Sequence, residues 1–203
     1  MCSNFIPVSL ERISRFGRGM PTFHYAGTCY PAGAAPFVSS FDPSLWLEGT
    51  FGLLPHWADP KLARQTYNAR SETVATKPCY RTAWRQRQLA VIPVEAFYEP
   101  NYESGKAERW RIARDDGEPF GLAGIWERRQ REDGASWWSF SMLTINADEH
   151  PLMRRFHKLG DEKRSVVILD DEDWDDWLSA KSEADIRSML VPFRAELMVA
   201  VPA

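Results

Sequence analysis

Apolar and aromatic residues concentrate in four stretches in the middle of the chain, and short polar sequences separate them. The stretches are residues 88–99, 108–114, 119–129 and 137–147, and "DDGE" and "REDGA" lie between the last three. Runs of this length bounded by Asp and Gly predict strands joined by turns. The pattern therefore predicts an antiparallel meander, in which Pro93 marks a bulge or an edge of the first strand.

The flanking segments predict shorter elements of both kinds. Residues 21–60 are rich in Pro, Gly and aromatics, which indicates short strands joined by turns. Helices are predicted at residues 78–87, 150–157, 170–180 and 182–190, with Pro78 and Ser182 near two of the starts. Residues 165–169 and 195–203 are predicted strands. The sum is an α+β fold dominated by antiparallel sheet.

Composition narrows the class of protein. The chain has 203 residues, 44% hydrophobic and 26% charged, with a net charge of −3, which suits one domain over residues 1–203. Three unpaired cysteines, four histidines and the absence of known phosphate-loop or metal motifs predict no cofactor and no metal. We expect a cytoplasmic protein, since no apolar run approaches the roughly 20 residues of a membrane span and no signal peptide is recognisable.

The second residue is a cysteine, and removal of Met1 would give Cys2 a free α-amine beside its thiol. A neutral amine attacks an aldehyde to give an imine, and a thiol held on the same residue can close on it to form a thiazolidine. The same residue also suits acyl transfer, with its own amine as the base. A casual residue in a frayed terminus is the remaining alternative.

Two further segments carry candidate chemistry. In "YNARSE" (residues 67–72), Asn68, Arg70 and Glu72 alternate, so an extended chain points all three to one face. Arg70 can bind a phosphate in a forked geometry, although the segment also suits an edge strand with an Arg70–Glu72 ion pair. Glu99 ends an apolar strand beside two aromatic residues and suits proton transfer. Glu95 on the same strand competes for that role.

A histidine and a tryptophan complete the set of candidates. His157 follows Arg154 and Arg155 and precedes Lys158, which places basic groups where a phosphate could bind. Locally basic segments in a chain of negative net charge are typical of a local nucleic-acid site, or of a solvated face. Trp57, in the loop "LPHWADP", is placed either to stack on a base or to pack.

Together these segments resemble one family. The chain contains in order "MC", "GLLPHW", "NARSET", "VIPVEAFYE", "GLAGIWE", "FSMLTINA" and a histidine before "VVIL". From residue 2 to about residue 195 it resembles the SOS response-associated peptidase (SRAP) family. The resemblance implies an α+β fold, mainly antiparallel strands in a barrel-like core with a few peripheral helices. It also implies binding to single-stranded or junction DNA with abasic sites and a crosslink to it through a thiazolidine. We expect a monomer that becomes nucleoid-associated when bound to DNA.

The resemblance also implies roles for individual residues. Family catalytic positions correspond to Cys2, Asn68, Glu99 and His157. DNA-binding positions are expected at Trp57, Arg70, Arg154, Arg155 and Lys158.

The chain departs from the family pattern at three places. Ser3 and Asn4 replace the usual Gly-Arg, and Pro100 replaces a tryptophan. The sequence after His157 is also altered, so that Lys158, Lys163 or Arg164 is expected to supply the basic group there. These changes affect the DNA contacts more than the crosslinking chemistry.

Two other classes of function fit the same residues. The first is a cysteine peptidase or amidohydrolase with an N-terminal nucleophile, which would require an oxyanion hole. The second is a DNA-binding module that uses arginines and aromatics without covalent chemistry.

Overall fold

A long central strand organises the sheet in the computed structural model, which describes residues 2–131 and 133–203. Strands β1 to β11 occupy Phe5–Pro7, Ala34–Ser39, Asp42–Phe51, Asn68–Arg70, Leu89–Asn101, Glu108–Arg114, Phe120–Gln130, Ser136–Asn146, Arg164–Val166, Ile168–Leu169 and Met198–Pro202. All of them belong to one sheet, with the path β10-β7-β8-β3-β2-β5-β6-β11. An additional β7–β5 pairing closes part of this path into a barrel, as expected for the α+β barrel-like fold.

The helices are short and few among the described residues. Helices α1 to α4 occupy Leu10–Ile13, Arg81–Arg85, Trp174–Ser179 and Glu183–Ser188. Ser182 caps α4 as predicted, because its side chain accepts from the Asp185 amide and the Asp185 side chain accepts from the Ser182 amide. None of the helices in residues 2–131 and 133–203 is long and apolar enough to cross a membrane.

The predicted meander is wrong at one connection. Strands β7 and β8 form an antiparallel hairpin, but β6 and β7 do not pair with each other. Strand β5 has 13 residues and lies between them, so that its first half pairs with β7 and its second half with β6. The predicted bulge near Pro93 is confirmed: Ile6 lies opposite Ala96 and Pro7 opposite Val94, so that Glu95 is an extra residue in β5.

Three predicted helices are shorter than expected. The helix predicted at residues 78–87 is confined to α2, and residues 71–80 form turns. Residues 150–157 contain only a 3₁₀ turn at Met153–Arg155, and the predicted helix at residues 170–180 begins with a 3₁₀ turn at Asp171–Asp173 before α3. Short helices gain little from propensity alone, so packing of the sheet determines where each one begins and ends.

Two hydrophobic clusters divide the core. One contains Cys2 and aromatic residues such as Phe5, Phe51 and Phe140. The other lies under the helices and contains Trp84 and Trp174 among its members. Gly121 of β7 allows Trp174 to approach the sheet, because a Cβ at that position would lie 2.1 Å from the indole Nε1. The first cluster reaches the candidate site.

Candidate active site

The start of the chain is held by backbone pairing on two sides. Strand β1 pairs with β5 at Phe5 and Phe97, and the Tyr98 amide donates to the Asn4 carbonyl at 3.1 Å. On its other side Phe5 exchanges two backbone hydrogen bonds with Cys29. Cys2 is completely buried in the aromatic cluster, and its Sγ lies 3.5 Å from the Asn4 carbonyl oxygen. The frayed-terminus alternative for Cys2 is therefore wrong.

Asn68 holds the backbone of Cys2. It lies in β4, which runs parallel to β8 and places Asn68 opposite Met142. Its Nδ2 donates to the Cys2 carbonyl at 2.7 Å, and the Tyr80 hydroxyl donates to the Asn68 carbonyl at 3.0 Å. The buried Asn68 Oδ1 has no hydrogen-bond partner among the described residues, so it can accept a further donor at this place.

Glu99 and His157 form a buried pair beside Cys2. The His157 Nε2 lies 3.0 Å from the Glu99 Oε2, and their side chains are 10% and 1% exposed. The His157 backbone has a φ of 66°, a left-handed conformation that costs energy for a non-glycine residue. Its amide donates to the Pro100 carbonyl at 2.9 Å, and Lys163 Nζ donates to its carbonyl at 3.1 Å. These contacts hold the ring towards Glu99.

The electrostatics of the site couple Cys2 to the Glu99 carboxylate. Burial raises the pKa of the Cys2 thiol well above its usual range, and the negative charge of Glu99 raises it further. Burial also raises the pKa of Tyr67, with smaller effects from Cys2 and Glu99. The thiol is therefore protonated at neutral pH. Because the charge of Glu99 acts on both Cys2 and Tyr67, these three side chains lie close together.

Glu95, the competing carboxylate, is occupied elsewhere. It accepts from the Ser9 amide at 3.0 Å and from Arg12 at 2.6 Å. These bonds fix helix α1 on the sheet, which gives Glu95 a structural role.

Of the alternatives for residues 67–72, the Arg70–Glu72 ion pair is wrong. Glu72 pairs with the buried Arg164 at 2.8 Å, and Arg70 pairs with Glu162 at 2.5 Å. Glu162 also accepts from Arg164 at 2.7 Å, so one carboxylate joins both arginines. Arg164 is only 2% exposed and donates to Thr144 as well. It is therefore unavailable as the surface basic group that the altered sequence after His157 was expected to supply.

A groove of about 770 Å³ opens beside His157. Arg154 and Arg155 line it, and Arg155 is paired with Glu103 through two hydrogen bonds of 2.9 Å. Arg154 is exposed, and no ion pair involves it within the described part of the chain. Lys158 is exposed nearby. The structure thus brings three of the predicted DNA-binding residues to one surface next to the Glu99–His157 pair.

Trp57 lies apart from this groove, in the segment between β3 and β4. Its side chain is among the exposed large hydrophobic residues, at 56%. The segment returns to the sheet through a hydrogen bond from the Leu53 amide to the Thr66 carbonyl, directly before Asn68. The exposed Trp57 ring is accessible for stacking. The segment that carries it ends at β4, which contains the site residue Asn68.

Glu162, which binds Arg70, was not found from sequence. Lys163 was expected as a basic group for DNA, but its Nζ donates to the carbonyls of His157 and Lys158 and so fixes the loop after His157. Both belong to the segment "GDEKR", whose charged residues carried no spacing that distinguishes internal bonds from a solvated loop.

Comparison with known proteins supports the fold expected from the family resemblance. The SOS response associated peptidase (SRAP) family matches residues 35–203. The abasic site processing protein YoqW of Bacillus subtilis (strain 168) is 32% identical over 154 residues, which cover 74% of this chain and 65% of YoqW. The abasic site processing protein YobE of the same organism is 32% identical, covering 74% of this chain and 67% of YobE. The chain thus spans about two thirds of the length of these relatives.

Solved structures extend the similarity over the whole chain. A crystal structure of a protein from Bordetella bronchiseptica has a TM-score of 0.90 and 36% identity, and the match covers 100% of this chain and 99% of that one. A crystal structure from Bacteroides thetaiotaomicron has a TM-score of 0.84 at 22% identity, covering 99% and 91%, which is a likeness of fold. On the family match and the shared fold, this chain belongs to the SRAP family.

Proposed function

We propose that this protein processes abasic sites in DNA by forming a covalent crosslink through Cys2. The observation that carries the proposal is the convergence on Cys2 of Asn68 and the Glu99–His157 pair. Relatives of the chain carry the name abasic site processing protein, which points to the same class of substrate. The four residues come from separate parts of the sequence, so their meeting is a property of the fold.

The chemistry begins with the α-amine of Cys2 after Met1 has been removed. An α-amine has a pKa of about 8, so a useful fraction is neutral near pH 7. The amine adds to the C1′ aldehyde of the ring-opened abasic sugar, and loss of one water gives an imine. The Cys2 sulfur then adds to the imine carbon while the thiol proton passes to nitrogen, which closes the thiazolidine. No oxidant or reductant is needed.

The protonated thiol favours this order of events. A thiol whose pKa is raised by burial and by Glu99 does not compete as a thiolate with the amine for the aldehyde. Glu99 and His157, joined at 3.0 Å, are placed to move protons during ring opening and loss of water. Asn68 positions the nucleophile through the Cys2 carbonyl.

DNA contacts around the site come from exposed basic and aromatic residues. Arg154 and Lys158 are accessible for backbone phosphates, and a phosphate could replace the carboxylates now bound to Arg70 and Arg155. Trp57 offers a face for stacking. An abasic nucleotide in a single strand or at a junction is easily extruded into a buried site. We expect a monomer to suffice, acting in the cytoplasm on nucleoid DNA.

A cysteine peptidase is the second candidate, since Cys2 could attack an amide. Such a nucleophile would use its own α-amine as the base, and burial, which raises the pKa of the Cys2 thiol, makes that proton transfer less favourable. A peptide-hydrolysis screen run beside the DNA reaction separates the two functions.

The test is incubation with single-stranded DNA treated with uracil-DNA glycosylase, followed by denaturing electrophoresis and intact mass. We expect a heat-stable adduct whose mass equals protein without Met1 plus DNA less one water. Cys2→Ser should give only an imine that borohydride traps, because a hydroxyl replaces the sulfur that closes the ring. Cys79→Ala, which removes a partly exposed free thiol elsewhere, is the matched control and should react as the parent does. An undiminished adduct with Cys2→Ala would overturn the proposal.

A further inference from the structure

A second basic and aromatic surface lies on the hairpin of β7 and β8, away from the groove beside His157. It is a cleft of about 540 Å³ whose lining includes His56, Arg129, Arg131, Asp133 and Trp137. The guanidinium groups of Arg129 and Arg131 lie over the Trp137 ring, at 4.2 and 4.7 Å from its centroid. We propose that this cleft, named here the hairpin cleft, binds a stretch of single-stranded DNA outside the crosslinking site, and this rests on the proposed function.

The arginines of the hairpin cleft differ from those arginines elsewhere that pair with carboxylates. Arg12, Arg114 and Arg194 are examples that form ion pairs with carboxylates. Within residues 2–131 and 133–203, no ion pair involves Arg129 or Arg131. Asp133 contributes one carboxylate to the lining, and its Oδ1 accepts from the Ala135 amide at 2.9 Å. Among the described residues that line the cleft, two guanidinium groups stand against one carboxylate.

The cleft is also joined physically to the exposed Trp57. The Arg129 guanidinium donates to the Ala58 carbonyl at 2.8 Å, which fixes the loop immediately after Trp57. The Trp137 Nε1 donates to Thr50 Oγ1 at 2.8 Å, so the ring is held in place. Trp57 therefore borders a surface where cationic groups and a fixed aromatic ring occur together. That combination is typical of sites that bind a single strand without reading its sequence.

The distance to the candidate active site fits a short length of DNA. Strand β8 carries both Trp137 and Met142, and Met142 lies opposite Asn68. At about 3.3 Å per residue the two positions are about 17 Å apart along the strand. This length corresponds to about five nucleotides at the 3.4 Å spacing of a DNA strand. Because positions 137 and 142 point to opposite faces of β8, a strand crosslinked at Cys2 must also pass round the sheet and needs to be somewhat longer than this to reach the hairpin cleft.

The first experiment measures binding of an undamaged oligothymidine of about 15 nucleotides by fluorescence anisotropy over a range of salt concentrations. Arg131→Gln should weaken binding and lower the slope of log K against log salt by about 0.7, the value for one phosphate contact with a single strand. Trp137→Leu should also weaken binding, because Arg129 and Arg131 lose the ring against which their guanidinium groups pack. Arg85→Gln on α2 removes the same charge from an exposed position and should change the slope little.

The second experiment separates this inference from the proposed function. Crosslinking rates are compared for an abasic trinucleotide and for a longer oligonucleotide with the same abasic site. Arg131→Gln should match the parent on the trinucleotide and react more slowly on the longer strand at subsaturating protein. The proposal that the hairpin cleft binds DNA would be overturned if Arg131→Gln crosslinked as fast as the parent on both substrates and its anisotropy slope equalled that of Arg85→Gln. Loss of crosslinking with every substrate would refute the proposed function instead, and the binding data would still decide on the cleft.

Discussion

Glu127 makes the stability of the fold depend on pH, although it lies outside the candidate active site. It lies in β7 opposite Ser139 of β8 and is only 8% exposed. Burial raises its pKa from 4.5 to about 7, because a low-dielectric environment disfavours the charged carboxylate. Replacement by Gln keeps the size and polarity of the side chain and removes the ionisation.

The sign follows from proton binding in the two states. Between pH 4.5 and about 7 the folded protein holds a proton on Glu127 that the unfolded chain has released. The free energy of unfolding therefore falls as the pH rises through this window, and the loss is complete above the folded pKa. A tenfold change in ionisation equals about 1.4 kcal/mol, so the full difference corresponds to about 3 kcal/mol. Solvent screening reduces this to about 1–2 kcal/mol.

The assay is urea unfolding of the parent and of Glu127→Gln at intervals from about pH 5 to about pH 8. The substitution should have a small effect at the acidic end and a stabilising effect of about 1–2 kcal/mol at the alkaline end. Gln at the exposed Glu108 serves as the control and should change stability equally at every pH. A difference between parent and Glu127→Gln that is independent of pH would refute the assignment of the buried proton.

Three further substitutions test the packing and the site. Asn68→Ala should slow crosslinking several-fold in a gel time course and lower the unfolding free energy by about 1–3 kcal/mol, because the buried Cys2 carbonyl loses its donor; an unchanged rate would contradict the positioning role. Gly121→Ala should destabilise by about 1–3 kcal/mol in urea because its Cβ would collide with Trp174, and an unchanged midpoint would contradict that close approach. Arg164→Met should cost about 1–3 kcal/mol at neutral pH, because the Thr144 carbonyl and the two half-exposed carboxylates lose their donor. That cost should shrink in acid, since Arg164 lowers the pKa of Glu162, and a cost that does not shrink would contradict the buried ion pairs.

The sequence predicted the strands better than their partners. Residues 108–114 form β6 as expected, and the hairpin of β7 and β8 matches its predicted limits within a residue or two. Apolar runs and turn residues are local signals, so they predict the limits of a strand without knowledge of its neighbours. The pairing of β5 with two strands at once is a long-range property, and no residue within 88–99 indicates that the strand passes from one partner to another.

In the candidate site, too, the residues were predicted but their charged partners were not. Cys2, Asn68, Glu99 and His157 were identified by their chemistry and by the family resemblance, and the structure brings them together. The carboxylates that bind the arginines were not predicted, because Glu162 lies far from Arg70 in sequence. Alternation in an extended strand suggested the wrong partner for Arg70, since the chain turns after β4 and carries Glu72 towards Arg164.

The burial of Cys2 determines how long a product at this residue lasts. A thiazolidine formed there would share the surroundings of Phe5 and Phe97, in the same cluster as the thiol. Hydrolysis of its C–N and C–S bonds needs water, and the burial of Cys2 limits how often water reaches them without local opening of this end of the barrel. The half-life of the adduct should therefore follow the stability of the β1–β5 pairing. A protease that removes the surrounding strands would shorten that half-life without acting on the adduct itself.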